Sequence, residues 1–150
     1  VGEVAAGGPN IMKGYVSGDE RELGKIDAKG RLRTGDLGKL DHDGHLFLVG
    51  RSSEMIKSAG NRISPQEIEE AALASGLVSE AAAFGVADAK LGQAVHLVVR
   101  GNGDEEGLRA ALRRDLPNFM QPQAIRWVET MPLNSNGKID RAALRAKEGA

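Results

Sequence analysis

The distribution of apolar and polar positions changes character near residue 53. Before it, short apolar runs alternate with Gly, Pro, Asn and Asp, the pattern of strands cut by turns. Residues 1–6, 11–16, 37–40 and 45–49 read as strands. Asp41-His42-Asp43-Gly44 separates the last two, and its Asp-Gly pair is a strong hairpin signal.

After residue 53 the pattern turns to mixed helix and strand. Residues 54–57 are a short strand candidate. Ser64-Pro65-Gln66-Glu67 is a helix start: Ser64 can accept from backbone N–H groups, Pro65 suits the first helical position, and Glu67 can close a capping box. Ile68, Ala71, Ala72 and Ser75 share one helical face, and Gly76 ends the run. Glu67 and Glu69, two apart on a helix, do not face one another and are assigned to capping and surface.

Residues 81–86 and 94–100 are apolar enough for buried strands. Residues 104–116 form a second helix with Leu108, Ala111 and Leu112 inward, stopped by Pro117. A strand at 124–128, a polar loop at 134–138 and a short helix at 140–146, capped by Asp140, complete the chain. The predicted fold class is α+β: a small domain with a short sheet flanked by helices, preceded by a β-rich segment. The joint at residues 50–53 is the expected domain boundary.

Composition narrows the partners. Twenty Lys and Arg against 21 Asp and Glu leave a net charge of -1, so no broad field points to nucleic acid or a membrane surface. There is no cysteine, which removes disulfides and thiolate metal sites. His42 and His45 flank a turn without a third nearby ligand, so no metal site is expected. No apolar stretch approaches the roughly 20 residues of a membrane span, and no signal peptide is visible. The chain starts at Val1 in mid-strand pattern, so a fragment of a longer, cytoplasmic protein is expected.

Three segments carry chemistry: Arg33-Thr34-Gly35-Asp36; Gly50-Arg51 with Ile56-Lys57 and Gly60-Asn61-Arg62-Ile63; and Asn134-Ser135-Asn136-Gly137-Lys138-Ile139-Asp140-Arg141. In this order and at these separations they closely resemble the C-terminal motifs of the adenylate-forming (AMP-binding) superfamily. That superfamily includes acyl-CoA synthetases, peptide-synthetase adenylation domains and luciferases. Gly8-Pro9-Asn10 through Gly14-Tyr15 and Glu67-Ile68-Glu69 extend the resemblance over nearly the whole chain.

The resemblance implies an enzyme that joins a carboxylic acid to AMP from ATP, releases pyrophosphate, and passes the acyl group to coenzyme A. It implies that residues 1–50 end a large adenylation domain, 51–53 form a hinge, and 54–150 are a small mobile domain. Asp36 then matches a ribose-binding aspartate, whose two oxygens suit a cis-diol. Arg51 matches an arginine that assists nucleotide binding through its fork of donors. Lys138 matches the catalytic lysine, an ammonium able to sit between carboxylate and phosphate oxygens.

Gly60 and Arg62 match a segment used in thioester formation, where glycine lets backbone approach the pantetheine arm. The hinge departs from the family pattern: Ser53 stands where an Asp or Lys is usual, beside Ser52 and Glu54. The family's phosphate loop and acyl pocket are not found in these residues, and Mg2+ would be held mainly by the large domain. The fragment alone is therefore expected to be inactive. The stretch from Met55 to Pro65 looks most like fatty or aromatic acyl-CoA ligases. A carrier-protein-loading adenylation domain, or a non-catalytic module of this fold, is the alternative.

Overall fold

The structure, a computed structural model, describes residues 1–13 and 25–148. The chain divides into two compact units, Val1–Ser53 and Glu54–Ala150.

The first unit is an antiparallel sheet in the order β1–β2–β3. Its strands are β1 (Gly2–Ala6), β2 (Leu32–Leu40) and β3 (Leu46–Arg51). β2 begins five residues before the predicted 37–40, because Gly35 (φ 77°) kinks the strand without ending it. Residues 11–13 are not part of the predicted strand; the Ile11 N–H donates to the Gly8 carbonyl in a turn instead. The rest of that strand, with Gly14 and Tyr15, lies outside the described residues. This unit exposes apolar surface: Leu46, Phe47 and Leu48 are 49%, 50% and 60% exposed.

The second unit holds the core. It runs β4 (Ile56–Ser58), β5 (Asn61–Ile63), α1 (Pro65–Ala74), β6 (Val78–Asp88), β7 (Gly92–Gly101), α2 (Glu105–Asp115), a 3-10 turn (Asn118–Met120), β8 (Ala124–Trp127) and α3 (Arg141–Glu148). β7 is the central strand. It pairs antiparallel with β6 along its length, with β4 at Ser58↔Gly92, and parallel with β8.

β6 and β7 are buried on both faces, which is why their sequences read as continuous apolar runs. Ala81, Ala83, Val95, Leu97 and Val99 pack with Ile68 and Ala72 of α1 and Leu108 and Leu112 of α2. Ala82, Phe84 and Val98 pack on the opposite face with Met131 and with Leu144 of α3. The two-residue period of a strand thus sorts neighbouring residues into two cores. The α+β fold expected from sequence is the fold observed.

Three local expectations need correction. The short strand candidate at 54–57 lies instead at 56–58 and has a partner that was not predicted, β5. Ser64 occupies the helix N-cap position, yet its side chain makes no capping bond, so Pro65 sets the start of α1 without a capping box. Glu69 is not a surface residue, as described below. The expected cap at Asp140 forms, accepting from the Ala143 N–H at 2.9 Å; Asp104, read only as the start of its helix, also caps it by accepting from the Gly107 N–H at 2.8 Å.

The turn joining β4 to β5 is made by Ala59 (φ 48°) and Gly60 (φ 81°), both in the left-handed region that a tight hairpin demands. Gly60 takes this freely, but Ala59 is strained. Ala59→Asn should raise the unfolding free energy by about 0.5–1 kcal/mol, read by chemical denaturation, because asparagine enters that region at lower cost.

Before β2, Asp27 holds another turn. Its Oδ1 accepts from the backbone N–H of Lys29 and of Arg31, and its Oδ2 from Arg31 Nε at 2.8 Å. The Arg31 backbone N–H foremost, then its guanidinium, hold the Asp27 carboxyl below its ordinary value. A depressed folded-state pKa means stability present above the unfolded value and lost as pH falls through the folded one. Acid titration should therefore open this turn below the ordinary aspartate range. Asp27→Asn should remove that pH dependence in amide chemical shifts of residues 29–31.

Candidate active site

In the first unit, Asp36 and Arg51 are direct cross-strand partners on β2 and β3. Arg51 Nε stands 3.1 Å from Asp36 Oδ1. The Asp36 N–H donates to Thr34 Oγ1 at 3.1 Å, and the Thr34 hydroxyl donates to the Val4 carbonyl at 2.9 Å. The kink at Gly35 is closed by the Ser52 N–H, which donates to the Gly35 carbonyl at 2.9 Å. Arg51 is 62% exposed and Asp36 27%. An ion pair this open contributes little to stability, and its donors and acceptors can exchange onto a polar ligand. Ser52, Ser53 and Glu54 then form an exposed turn at the junction of the units.

In the second unit, Gly60 stands at the tip of the β4–β5 hairpin with open space where a Cβ would be. Arg62 is exposed on β5, directly opposite the exposed Lys57 on β4. Like charges set directly opposite repel unless an anion joins them. Lys57 was legible in the motif, but only strand pairing shows that it shares a face with Arg62.

Lys138 is exposed at the end of the loop between β8 and α3. The loop is not a loose segment. Gly137 (φ 74°) donates its N–H to the Asn134 carbonyl at 3.0 Å, and the Asn134 N–H donates to the Lys138 carbonyl at 2.7 Å. Asn134 Oδ1 accepts from the Asn136 N–H at 3.0 Å and the Lys138 N–H at 3.1 Å. Leu133 and Ile139 pair across the base.

Glu69 and Arg141 anchor the far side of this loop. Arg141 NH2 donates to both Glu69 oxygens, at 2.7 and 2.8 Å, and Glu69 Oε1 also accepts from the Ala83 N–H of β6 at 2.8 Å. Side-chain exposure is 13% for Glu69 and 30% for Arg141. Glu69, expected at the surface, instead joins α1, β6 and α3, because its helix face turns toward the sheet edge.

His45 does have further candidate ligands nearby, which were not expected from the sequence. Asp41, Asp43 and His45 bring one possible ligand atom each within 4.8 Å. However, Asp41 Oδ1 already accepts from the backbone N–H of Asp43 and His45, and its Oδ2 stands 3.2 Å from His45 Nδ1. The group is a hydrogen-bonded hairpin turn.

Along the chain, an exposed carboxylate–arginine pair thus precedes a small α+β unit that presents an exposed lysine. Residues 67–138 match the AMP-binding enzyme C-terminal domain. It is 37% identical to sulfoacetate–CoA ligase of Cupriavidus necator over 96% of this chain and 29% of that protein. The o-succinylbenzoate CoA synthetase of Bacillus subtilis, solved with its acyl-adenylate intermediate, matches with a TM-score of 0.89. That match has 31% identity and covers 96% of this chain and 30% of the other. ATP-bound MatB of Rhodopseudomonas palustris matches at 0.84 with 32% identity, over 94% of this chain and 29% of the other. The chain spans less than a third of the length of these relatives.

The two ion pairs should separate in a stability assay. Glu69→Ala strands a half-buried guanidinium and the Ala83 N–H, and is expected to cost about 2–3 kcal/mol in chemical denaturation. Arg51→Ala removes an exposed pair and should change stability by less than about 0.5 kcal/mol.

Proposed function

We propose that this chain is the C-terminal portion of an ATP-dependent, AMP-forming acyl-CoA ligase. The observation that carries this is Lys138: an exposed ammonium, without an ion pair among the described residues, on a turn closed by hydrogen bonds. The relatives' CoA-ligase names, with ATP and an acyl-adenylate in their structures, supply the reaction.

In the first half-reaction a carboxylate oxygen attacks the α-phosphorus of ATP, an acyl–phosphate bond forms, and pyrophosphate leaves. Lys138 bridges the carboxylate and phosphate oxygens as negative charge moves between them. Asp36 takes the ribose hydroxyls as acceptor, and Arg51 steadies both Asp36 and the nucleotide. In the second half-reaction the thiol of coenzyme A attacks the acyl carbonyl and AMP leaves. Gly60 lets the pantetheine arm lie close to the hairpin, and Arg62 with Lys57 offers paired cations to the phosphates of coenzyme A.

Residues 1–50 belong, on this reading, to the large adenylation domain, which would cover the apolar Leu46, Phe47 and Leu48. Residues 54–150 are the small domain that alternates between the two steps, and Ser53 lies at its hinge. Mg2+ accompanies ATP in the large domain. The relatives' acids, sulfoacetate and o-succinylbenzoate, share little beyond a carboxylate, so the acid is chosen outside the shared span. Among the described residues no helix is long and apolar enough to cross a membrane, and the cytoplasm is the proposed compartment.

The test is Lys138→Ala in the intact enzyme. Acyl-adenylate formation, followed by ATP–pyrophosphate exchange, should fall by about a thousandfold, the scale of a lost transition-state charge contact. Thioester formation from supplied acyl-adenylate should stay near wild type. Equal exchange in mutant and wild type would overturn the assignment.

A further inference from the structure

The loop that carries Lys138 is one of three copies of a single turn. Ile26-Asp27-Ala28-Lys29-Gly30-Arg31-Leu32, Leu40-Asp41-His42-Asp43-Gly44-His45-Leu46 and Leu133-Asn134-Ser135-Asn136-Gly137-Lys138-Ile139 share one pattern. An apolar residue is followed by Asp or Asn, two variable residues, glycine, a basic residue and a second apolar residue. The geometry repeats as well. Ile26↔Leu32, Leu40↔Leu46 and Leu133↔Ile139 pair across the three bases. Gly30, Gly44 and Gly137 have φ of 73°, 85° and 74°.

In each turn the glycine N–H donates to the carbonyl of the Asp or Asn, and that residue's own N–H donates to the carbonyl of the basic residue. In each, one side-chain oxygen accepts the N–H groups two and four positions on. This is a tight turn followed by a left-handed glycine, pinned by an acidic or amide side chain.

The turns differ at the basic residue. Where the first position is Asp, its second oxygen captures the basic side chain. Arg31 Nε donates to Asp27 Oδ2 at 2.8 Å, and His45 Nδ1 stands 3.2 Å from Asp41 Oδ2. Where the first position is Asn134, the second terminal atom is an NH2 group, which only donates and cannot receive an ammonium. Lys138 has no ion pair among the described residues.

We propose that Asn134 is a positioning residue for Lys138. Its carbonyl oxygen builds the turn that fixes the lysine backbone, and its neutral amide leaves the ammonium unclaimed for substrate. The downstream clamp of Glu69 on Arg141 holds the other side of the loop, so Asn134 works against a fixed frame. An aspartate here would build the same turn and trap the lysine.

This inference rests on the catalytic reading of Lys138, and the experiment separates the two. In the intact enzyme, acyl-adenylate formation is compared for wild type, Lys138→Ala, Asn134→Ala, Asn134→Asp, and Asn134→Ala combined with Lys138→Ala. Thioester formation from supplied acyl-adenylate is measured in parallel. Asn134→Ala should lower kcat for adenylation about tenfold with KM for ATP unchanged, the effect of a slightly misplaced group. Adding it to Lys138→Ala should change nothing further, because both act through the same ammonium.

Asn134→Asp should leave the amide exchange rate at Lys138 unchanged from wild type, whereas Asn134→Ala should speed it. Asn134→Asp should still lower adenylation about threefold, the worth of one exposed ion pair. That defect, relative to wild type, should shrink at about 1 M salt, where screening acts over about 3 Å. Thioester formation should be unchanged in every Asn134 variant. If Lys138→Ala is as active as wild type, the catalytic reading fails, and this inference with it. If Lys138→Ala is inactive while Asn134→Ala and Asn134→Asp both match wild type, only the positioning role is overturned. It is also overturned if Asn134→Ala lowers the residual rate of Lys138→Ala by the same factor as in wild type.

Discussion

The burial of β6 and β7 on both faces is the constraint on which the second unit depends. Two adjacent strands with apolar residues at successive positions cannot leave either face in water. Helices α1 and α2 must cover one face, and α3 must cover the other through Leu144. Because α3 begins three residues after Lys138, covering the second face also sets where the lysine loop leaves the sheet. The clamp of Glu69 on Arg141 adds the register, joining the start of α3 to α1 and β6 through a largely buried carboxylate.

Within that frame the groups proposed to carry the chemistry are ones that stability does not need. Asp36 and Arg51 form an open pair whose loss costs the fold little, and Lys57 and Arg62 repel one another across a two-strand hairpin. Such groups are available to a polar ligand because the protein has not committed them internally. Glu69 is the contrast. Its carboxylate is saturated by Arg141 and Ala83, so it shapes the site without being free to act in it.

Five-residue turns recur at residues 27–31, 41–45 and 134–138, and they show how small a change separates an engaged side chain from an open one. The same backbone, closed by the same hydrogen bonds, seats a captured arginine, a captured histidine and an uncaptured lysine. The difference lies in one terminal atom of the residue that pins the turn. An oxygen accepts a donor group, and an NH2 group does not.

The strand–helix order, the cap at Asp140 and the inward stripe of α2 could be read from the sequence, because they depend on local spacing and local hydrogen bonds. The candidate site residues Asp36, Arg51, Gly60, Arg62 and Lys138 came from the sequence too, since they sit in short motifs of fixed separation. β5 could not be read, because three residues carry almost no period and Gly60 looks like a break. Nor could the continuation of β2 through Gly35, which needs a neighbouring strand to hold it. The surface assignment of Glu69 failed for a similar reason: its partner lies 72 residues away, and only the packing of α3 against β6 brings Arg141 to it. The sequence by itself determined the turns, the helices and which groups are candidates for the site. Tertiary structure decided which of those groups are paired off inside the fold and which remain exposed, because only packing brings residues distant in the chain within hydrogen-bond reach.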